Sequence, residues 1–117
     1  MITPELYRHD LEIVRNTAAQ VIKDFGLAGI EIAFSGNPQT AYQELLQQVT
    51  PGLELLYKKQ NKTFMMLLYR IDVEESRVKA IMNQGTTAGS FPKLAELVLE
   101  REFIKVVLRK LYSPPSV

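Results

Sequence analysis

The segment from Ser90 to Leu111 carries more apolar side chains than a single neighbour can cover. Wound at about 100° per residue, Leu97, Ile104, Leu108 and Leu111 share one side of a helix, and Leu99, Phe103, Val106 and Val107 share another. Only a narrow strip through Arg101, Lys105 and Arg109 stays charged along its second half. A helix apolar on most sides is buried, inside its own domain or against a partner. This predicts an all-α or nearly all-α fold, a compact bundle of about five helices around a long C-terminal one. It also marks Leu99, Phe103, Val106 and Val107 as a candidate interface, because large apolar patches on soluble proteins usually mark contacts.

The other helices announce themselves through their ends. Thr3 suits an N-cap and Pro4 a first helical position, with Ile2 and Tyr7 spaced as a hydrophobic staple. Tyr7, Leu11, Val14, Ala18, Val21 and Phe25 then alternate spacings of four and three, which predicts one helix from about Pro4 to Phe25, stopped by Gly26. Thr40-x-x-Gln43 reads as a capping box ahead of Tyr42, Leu45, Leu46 and Val49. Thr50-Pro51 repeats the cap-then-proline start and predicts a separate short helix with Leu53, Leu55, Leu56 and Tyr57, broken at Asn61-Lys62. Thr63 to Arg70 is continuously apolar, and its methionines and leucines favour helix over strand. Asp72-x-x-Glu75 predicts the cap of a helix from Val73 to about Asn83. Ser90 is expected to open the last helix, with Pro92 in its first turn. Residues 1–112 read as one domain and 113–117 as a loose tail.

One stretch does not follow the helical period. Ile30, Ile32 and Phe34 alternate with Glu31, Ala33 and Ser35, a strand pattern ending at the Gly36-Asn37-Pro38 turn. No second segment matches it, and a lone strand cannot satisfy its own backbone. Residues 30–34 are therefore expected to be an extended connector laid on the core; the alternative is a strand paired with a second copy.

Composition narrows the function classes. With 117 residues, 46% hydrophobic and 23% charged, the chain suits one soluble globular domain. Cysteine is absent, which removes disulfides, thiolate metal sites and thiol nucleophiles. That absence favours an intracellular setting. The first residues lack the basic flank and apolar run of a signal peptide, and Phe64 to Tyr69 is far short of a spanning helix, so no membrane is involved and a cytoplasmic location is expected. Net charge is +1, yet residues 1–50 carry 3 basic and 6 acidic side chains (−3) and residues 51–117 carry 11 and 7 (+4).

No catalytic constellation assembles from these residues. His9, the single histidine, adjoins Asp10, but neighbours on a helix diverge by about 100°. No nucleophile elbow, dinucleotide fingerprint or phosphate loop is present. Asp72, Glu74 and Glu75 form the one tight acidic group, and the first turn of a helix accounts for them. No catalytic, cofactor-binding or metal residue is assigned, and the chain is expected not to be an enzyme. Two alternatives to a protein-binding role are weighed. Arg101, Lys105 and Arg109, with Lys110 beside them and Lys58, Lys59 and Lys62 elsewhere, would form a stripe able to track phosphates. Glu100 and Glu102 dilute it, and a near-neutral chain is a poor fit to nucleic acid. Phe64, Met65, Met66, Leu67, Phe91 and Phe103 would line a cavity for a small apolar ligand, although no polar groups converge to orient one.

The segments Leu67-Leu68-Tyr69-Arg70-Ile71-Asp72-Val73-Glu74-Glu75 and Leu94-Ala95-Glu96-Leu97-Val98-Leu99-Glu100-Arg101-Glu102 resemble those of small uncharacterised bacterial helical proteins. The resemblance covers the C-terminal half. It implies an independent, mostly helical bacterial domain and brings no catalytic residue with it. Within this motif Arg70 ends one helix and Asp72 begins the next, so this polar pair is expected to set the helix joint, with Arg70 held by Glu74 or Glu100. The function expected from the residues is non-enzymatic protein–protein association, with a homo-oligomer or another protein as partner and no cofactor.

Overall fold

The computed structural model describes residues 9–84 and 87–112. Within them lie five helices: α1 (Leu11–Leu27), α2 (Ala41–Lys59), α3 (Asn61–Ile71), α4 (Glu75–Met82) and α5 (Thr87–Tyr112). At 26 residues α5 is about 39 Å long, and it touches each of the other four. The expected helical bundle around a long C-terminal helix is the fold observed, and among the described residues no strand forms.

The main core sits where α1, α2, α3 and the first half of α5 meet, around Phe25, Leu53, Phe64, Ile71, Phe91 and Val98. Tyr57 meets both Phe64 and Phe91 edge-on, with ring centroids 5.3 and 5.5 Å apart, an arrangement that suits the aromatic quadrupole. A smaller cluster of Ile13, Val106 and Val107, with Phe103 against it, joins the start of α1 to the end of α5. The two helices run antiparallel, with Lys110 ion-paired to Asp10 at 2.9 Å near one end and Glu102 against Asp24 towards the other.

Several helix ends differ from expectation, each for a local reason. The chain is not helical at Asp10, where an extended residue accepts the Ile13 N–H on its side chain at 3.1 Å and starts α1 at Leu11. The Thr3–Pro4 start and the Ile2–Tyr7 staple lie outside the described residues. The inward stripe of α1 also turns toward Ile13, Thr17 and Asp24, leaving Leu11 half-exposed. Pro51 does not separate two helices but lies inside α2. Ala41, Leu45, Val49, Gly52, Leu53 and Leu56 form one buried stripe across it, and this shared seam offsets the cost of a proline in a helix interior, about 3 kcal/mol. Gly52 lets Ile30 approach closely, since a Cβ there would stand 3.0 Å from Ile30 Cγ2 and push it back by a few tenths of an ångström. The last helix begins at Thr87 rather than Ser90; Ser90 is buried and its hydroxyl donates to the Ile81 carbonyl at 3.2 Å.

The 30–34 segment is an extended connector on the core, with Ile32 buried. The Ile30 N–H reaches the Phe25 carbonyl of α1 at 2.9 Å, and the backbone partners of Ala33 and Ser35 come from α2. The Gln48 side-chain amide accepts the Ala33 N–H at 2.8 Å and donates to the Ala33 carbonyl at 2.7 Å. Glu44 accepts the Ser35 N–H at 2.8 Å and the hydroxyls of Ser35 and Thr40. Those hydroxyls, with the Ser35 N–H, hold the Glu44 carboxyl below its ordinary pKa. The Thr40–Gln43 capping box does not form: Thr40 makes no side-chain cap, and its hydroxyl turns to Glu44.

Candidate functional site

The interface expected on α5 is mostly internal. Leu99 and Val106 keep only a few per cent of their surface, Val107 none, and Phe103 is half-buried. With four neighbouring helices, α5 uses its extra apolar sides inside the fold.

Large apolar side chains are exposed on α1, α2, α3 and α5, and those of α3 stand on its outer side. Phe64, Leu67, Leu68 and Ile71 face the core. Roughly opposite at 100° per residue stand Met65, Tyr69, Lys62, Met66 and Arg70. Met65 is 50% exposed, Met66 59% and Tyr69 88%. The residues weighed as an alternative cavity lining do not come together around one: Phe64, Leu67 and Phe91 are packed core, Met65 and Met66 are exposed, and Phe103 belongs to the other cluster. Lys62 and Arg70 are exposed and, among the described residues, neither side chain enters an ion pair.

Between α1, the start of α2 and the middle of α5 runs an open groove of about 720 Å³. Val14, Ala41, Leu45, Leu99 and Phe103 give it an apolar lining, with Thr17, Pro38 and Tyr42 around them. Glu96 and Glu100, one turn apart on α5, complete the wall. Both are exposed, and among the described residues neither has an ion-pair partner.

The joint after α3 is set by a different cation from the one expected. Asp72 takes a left-handed conformation (φ 68°), and its N–H reaches the carbonyls of Leu68 and Tyr69 while the Val73 N–H returns to Leu68. This is a Schellman closure with aspartate in the place glycine usually fills. Asp72 therefore closes α3 and does not cap α4, whose N-cap is Glu74. Arg101 secures it, donating to the Asp72 carbonyl at 3.0 Å and to its carboxylate at 2.9 Å. Arg70 contributes its carbonyl, which accepts from Lys105 at 3.3 Å; its guanidinium binds neither Glu74 nor Glu100.

The remaining basic stripe is also engaged within the chain. Arg109 donates to Gln20 at 3.3 Å, and Lys110 reaches Asp10 and Glu12. The hydrogen bond from Lys110, then that from the Ile13 N–H, holds the Asp10 carboxyl below its ordinary pKa. The same contact raises Lys110. Asp10 is thus occupied by a cap and a lysine rather than oriented toward His9. Asp72, Glu74 and Glu75 likewise turn to Arg101, Ser76 and Lys79. Among the described residues no three potential metal ligands converge.

One constellation went unread in the sequence: two acids facing each other between α1 and α5. Asp24 is almost fully buried and Glu102 completely so. Gln20 donates to Asp24 Oδ1 at 3.1 Å, but Asp24 Oδ2 and both Glu102 oxygens receive no hydrogen bond from an N–H or hydroxyl. Lys105 stops 4.0 Å from Glu102 Oε1. Burial foremost, then the hydrogen bond and charge of Asp24, push the Glu102 carboxyl up to about 8, against the opposing charges of Lys105 and Arg109. A Glu102 held protonated by that shift would donate to Asp24, which pairs one oxygen of each acid and leaves the other Glu102 oxygen without a hydrogen bond. The signal was a single acid on each inward stripe, Asp24 after Thr17 and Val21, Glu102 between Leu99 and Val106.

Among the described residues no helix is long and apolar enough to cross a membrane. Compared with protein-family models, with curated proteins and with solved structures, the chain matches none.

Proposed function

We propose that this chain is a protein-association module that works through the outer face of α3 and joins copies of itself. The observation that carries the reading is the Met65–Met66–Tyr69 surface, unburied on a helix whose other side is fully packed. Two half-exposed methionines and a nearly bare tyrosine present on the order of 400 Å², the size at which an apolar patch on a monomer is often functional. Methionine adapts to a partner's shape, and tyrosine adds rigid area with a polar tip. Such a patch supports a weak contact, on the order of 10–100 µM, rather than an obligate dimer.

Light scattering coupled to size exclusion, over a hundredfold dilution from about 1 mM, tests this. The mass is expected to exceed 13.3 kDa at the top of the range and to fall on dilution. The Met66→Ser/Tyr69→Ser double variant is expected to self-associate at least about tenfold more weakly. A wild-type mass fixed at 13.3 kDa across the range would discard the proposal.

A further inference from the structure

We infer that the face of α3 docks into the groove between α1, α2 and α5 of a second copy, so that copies join head to tail. The inference rests on the association reading above and names the surface that receives α3. The two surfaces are complementary in kind. The α3 ridge sets Met65, Met66 and Tyr69 between Lys62 and Arg70; the groove sets the half-buried Val14 and Phe103 beside Glu96 and Glu100. All four of these charges are exposed, and none has an ion-pair partner among the described residues. Docking would neutralise two cations with two anions at the rim of an apolar contact, where opposite charges set register and speed encounter. A face-to-face α3 pair would instead bring Lys62 and Arg70 of one copy against those of the other.

A chain cannot fill its own groove with its own ridge. The α3 end is fastened to α5 through Arg101 and Lys105. On the α5 wheel these stand roughly 150–170° from the middle of the wall formed by Glu96, Leu99, Glu100 and Phe103. Ridge and groove thus belong to opposite sides of the central helix. A contact between unlike surfaces leaves one of each free, so assembly continues past two copies as a ring or filament.

Two variants separate this arrangement from its rivals. Met66→Ser/Tyr69→Ser removes the ridge and Glu96→Lys/Glu100→Lys reverses the groove rim; all four residues are exposed, and circular dichroism checks that both variants fold. Each alone is expected to self-associate at least about tenfold more weakly than wild type, whose mass climbs past two copies. Mixed in equal amounts, they are expected to form a capped pair at twice 13.3 kDa, because one retains the groove and the other the ridge. If the groove variant still self-associates like wild type, or the mixture stays at one chain mass while wild type associates, the head-to-tail contact is overturned and the association reading survives. A wild type that is monomeric throughout overturns both.

Discussion

α3 and α5 are both too apolar to be served by one neighbour, yet they end in opposite situations. α5 lies among four helices and buries Leu97, Val98, Leu99, Val106 and Val107 on different sides. α3 meets three helices, packs Phe64, Leu67, Leu68 and Ile71 inward, and leaves Met65, Met66 and Tyr69 in water. Excess apolar surface therefore ends buried or exposed according to how the neighbouring helices are placed around it. Helical periodicity reports the excess, but the placement of neighbours is a property of the whole fold.

The most direct way to break this contrast is to shorten one apolar side chain on each helix. Leu99→Ala is expected to lower stability by about 2–5 kcal/mol, as core truncations that leave a cavity do. Met66→Ala on α3 should shift it by no more than about 0.5 kcal/mol, as exposed positions do. Urea unfolding of the two variants measures both. Equal effects would mean that Met66 is not on an open face of α3.

The acid pair sharpens the comparison from within α5. Folding raises the pKa of Glu102, so its stabilising contribution is whole below the ordinary glutamate value of 4.5 and is lost as pH rises through about 8. Wild type is expected to lose on the order of a few kcal/mol between pH 5 and 8.5. Asp10 and Glu44 act in the opposite sense: their pKa values are lowered, and their contributions vanish as pH falls through those lowered values. Maximum stability should lie on the acid side of neutrality. Glu102→Gln keeps a donor toward Asp24 without a titrating proton, and is expected to flatten the alkaline limb and exceed wild type at pH 8.5. Thermal melts across pH provide the check; an alkaline limb unchanged by the substitution would remove Glu102 as its cause.

The smallest expected effect lies at the joint that holds α3 in place. At Asp72 the left-handed backbone costs an alanine more than a glycine by about 1 kcal/mol. Both substitutions lose the partly exposed Arg101 ion pair, worth about 0–1 kcal/mol. Asp72→Ala should therefore melt below Asp72→Gly. Equal melting would mean that the backbone conformation carries no cost there.

Much of the fold was legible because it depends on neighbours in sequence. The inward residues Ala18, Val21 and Phe25 follow the helical period, and the 30–34 alternation marks an extended segment. What escaped depends on distant residues. Pro51 reads as a start until the stripe on either side of it is seen to meet one core. Asp72 reads as an N-cap because aspartate caps helices more often than it closes them, and Arg101 is what makes the other arrangement worthwhile. Asp24 and Glu102 are each unremarkable acids until α1 and α5 lie antiparallel. Burial of the candidate residues on α5 was hidden for the same reason: periodicity identified the surplus apolar surface, and only the placement of the other helices buries Leu99, Val106 and Val107 while leaving Met65, Met66 and Tyr69 exposed.

The Gln48 clamp on the connector has a consequence for the chain's behaviour under stress. Ile30, Ile32 and Phe34 make a short β-prone tract, the kind that recruits identical chains when its edge is open. Gln48 holds both backbone groups of Ala33, and Glu44 holds the N–H of Ser35. A helix thus stands where a neighbouring strand would add, presenting side chains that cannot extend a sheet. Fraying the first turns of α2 would uncover that edge, so the same residues that fasten the connector also occupy backbone groups that a second strand would need.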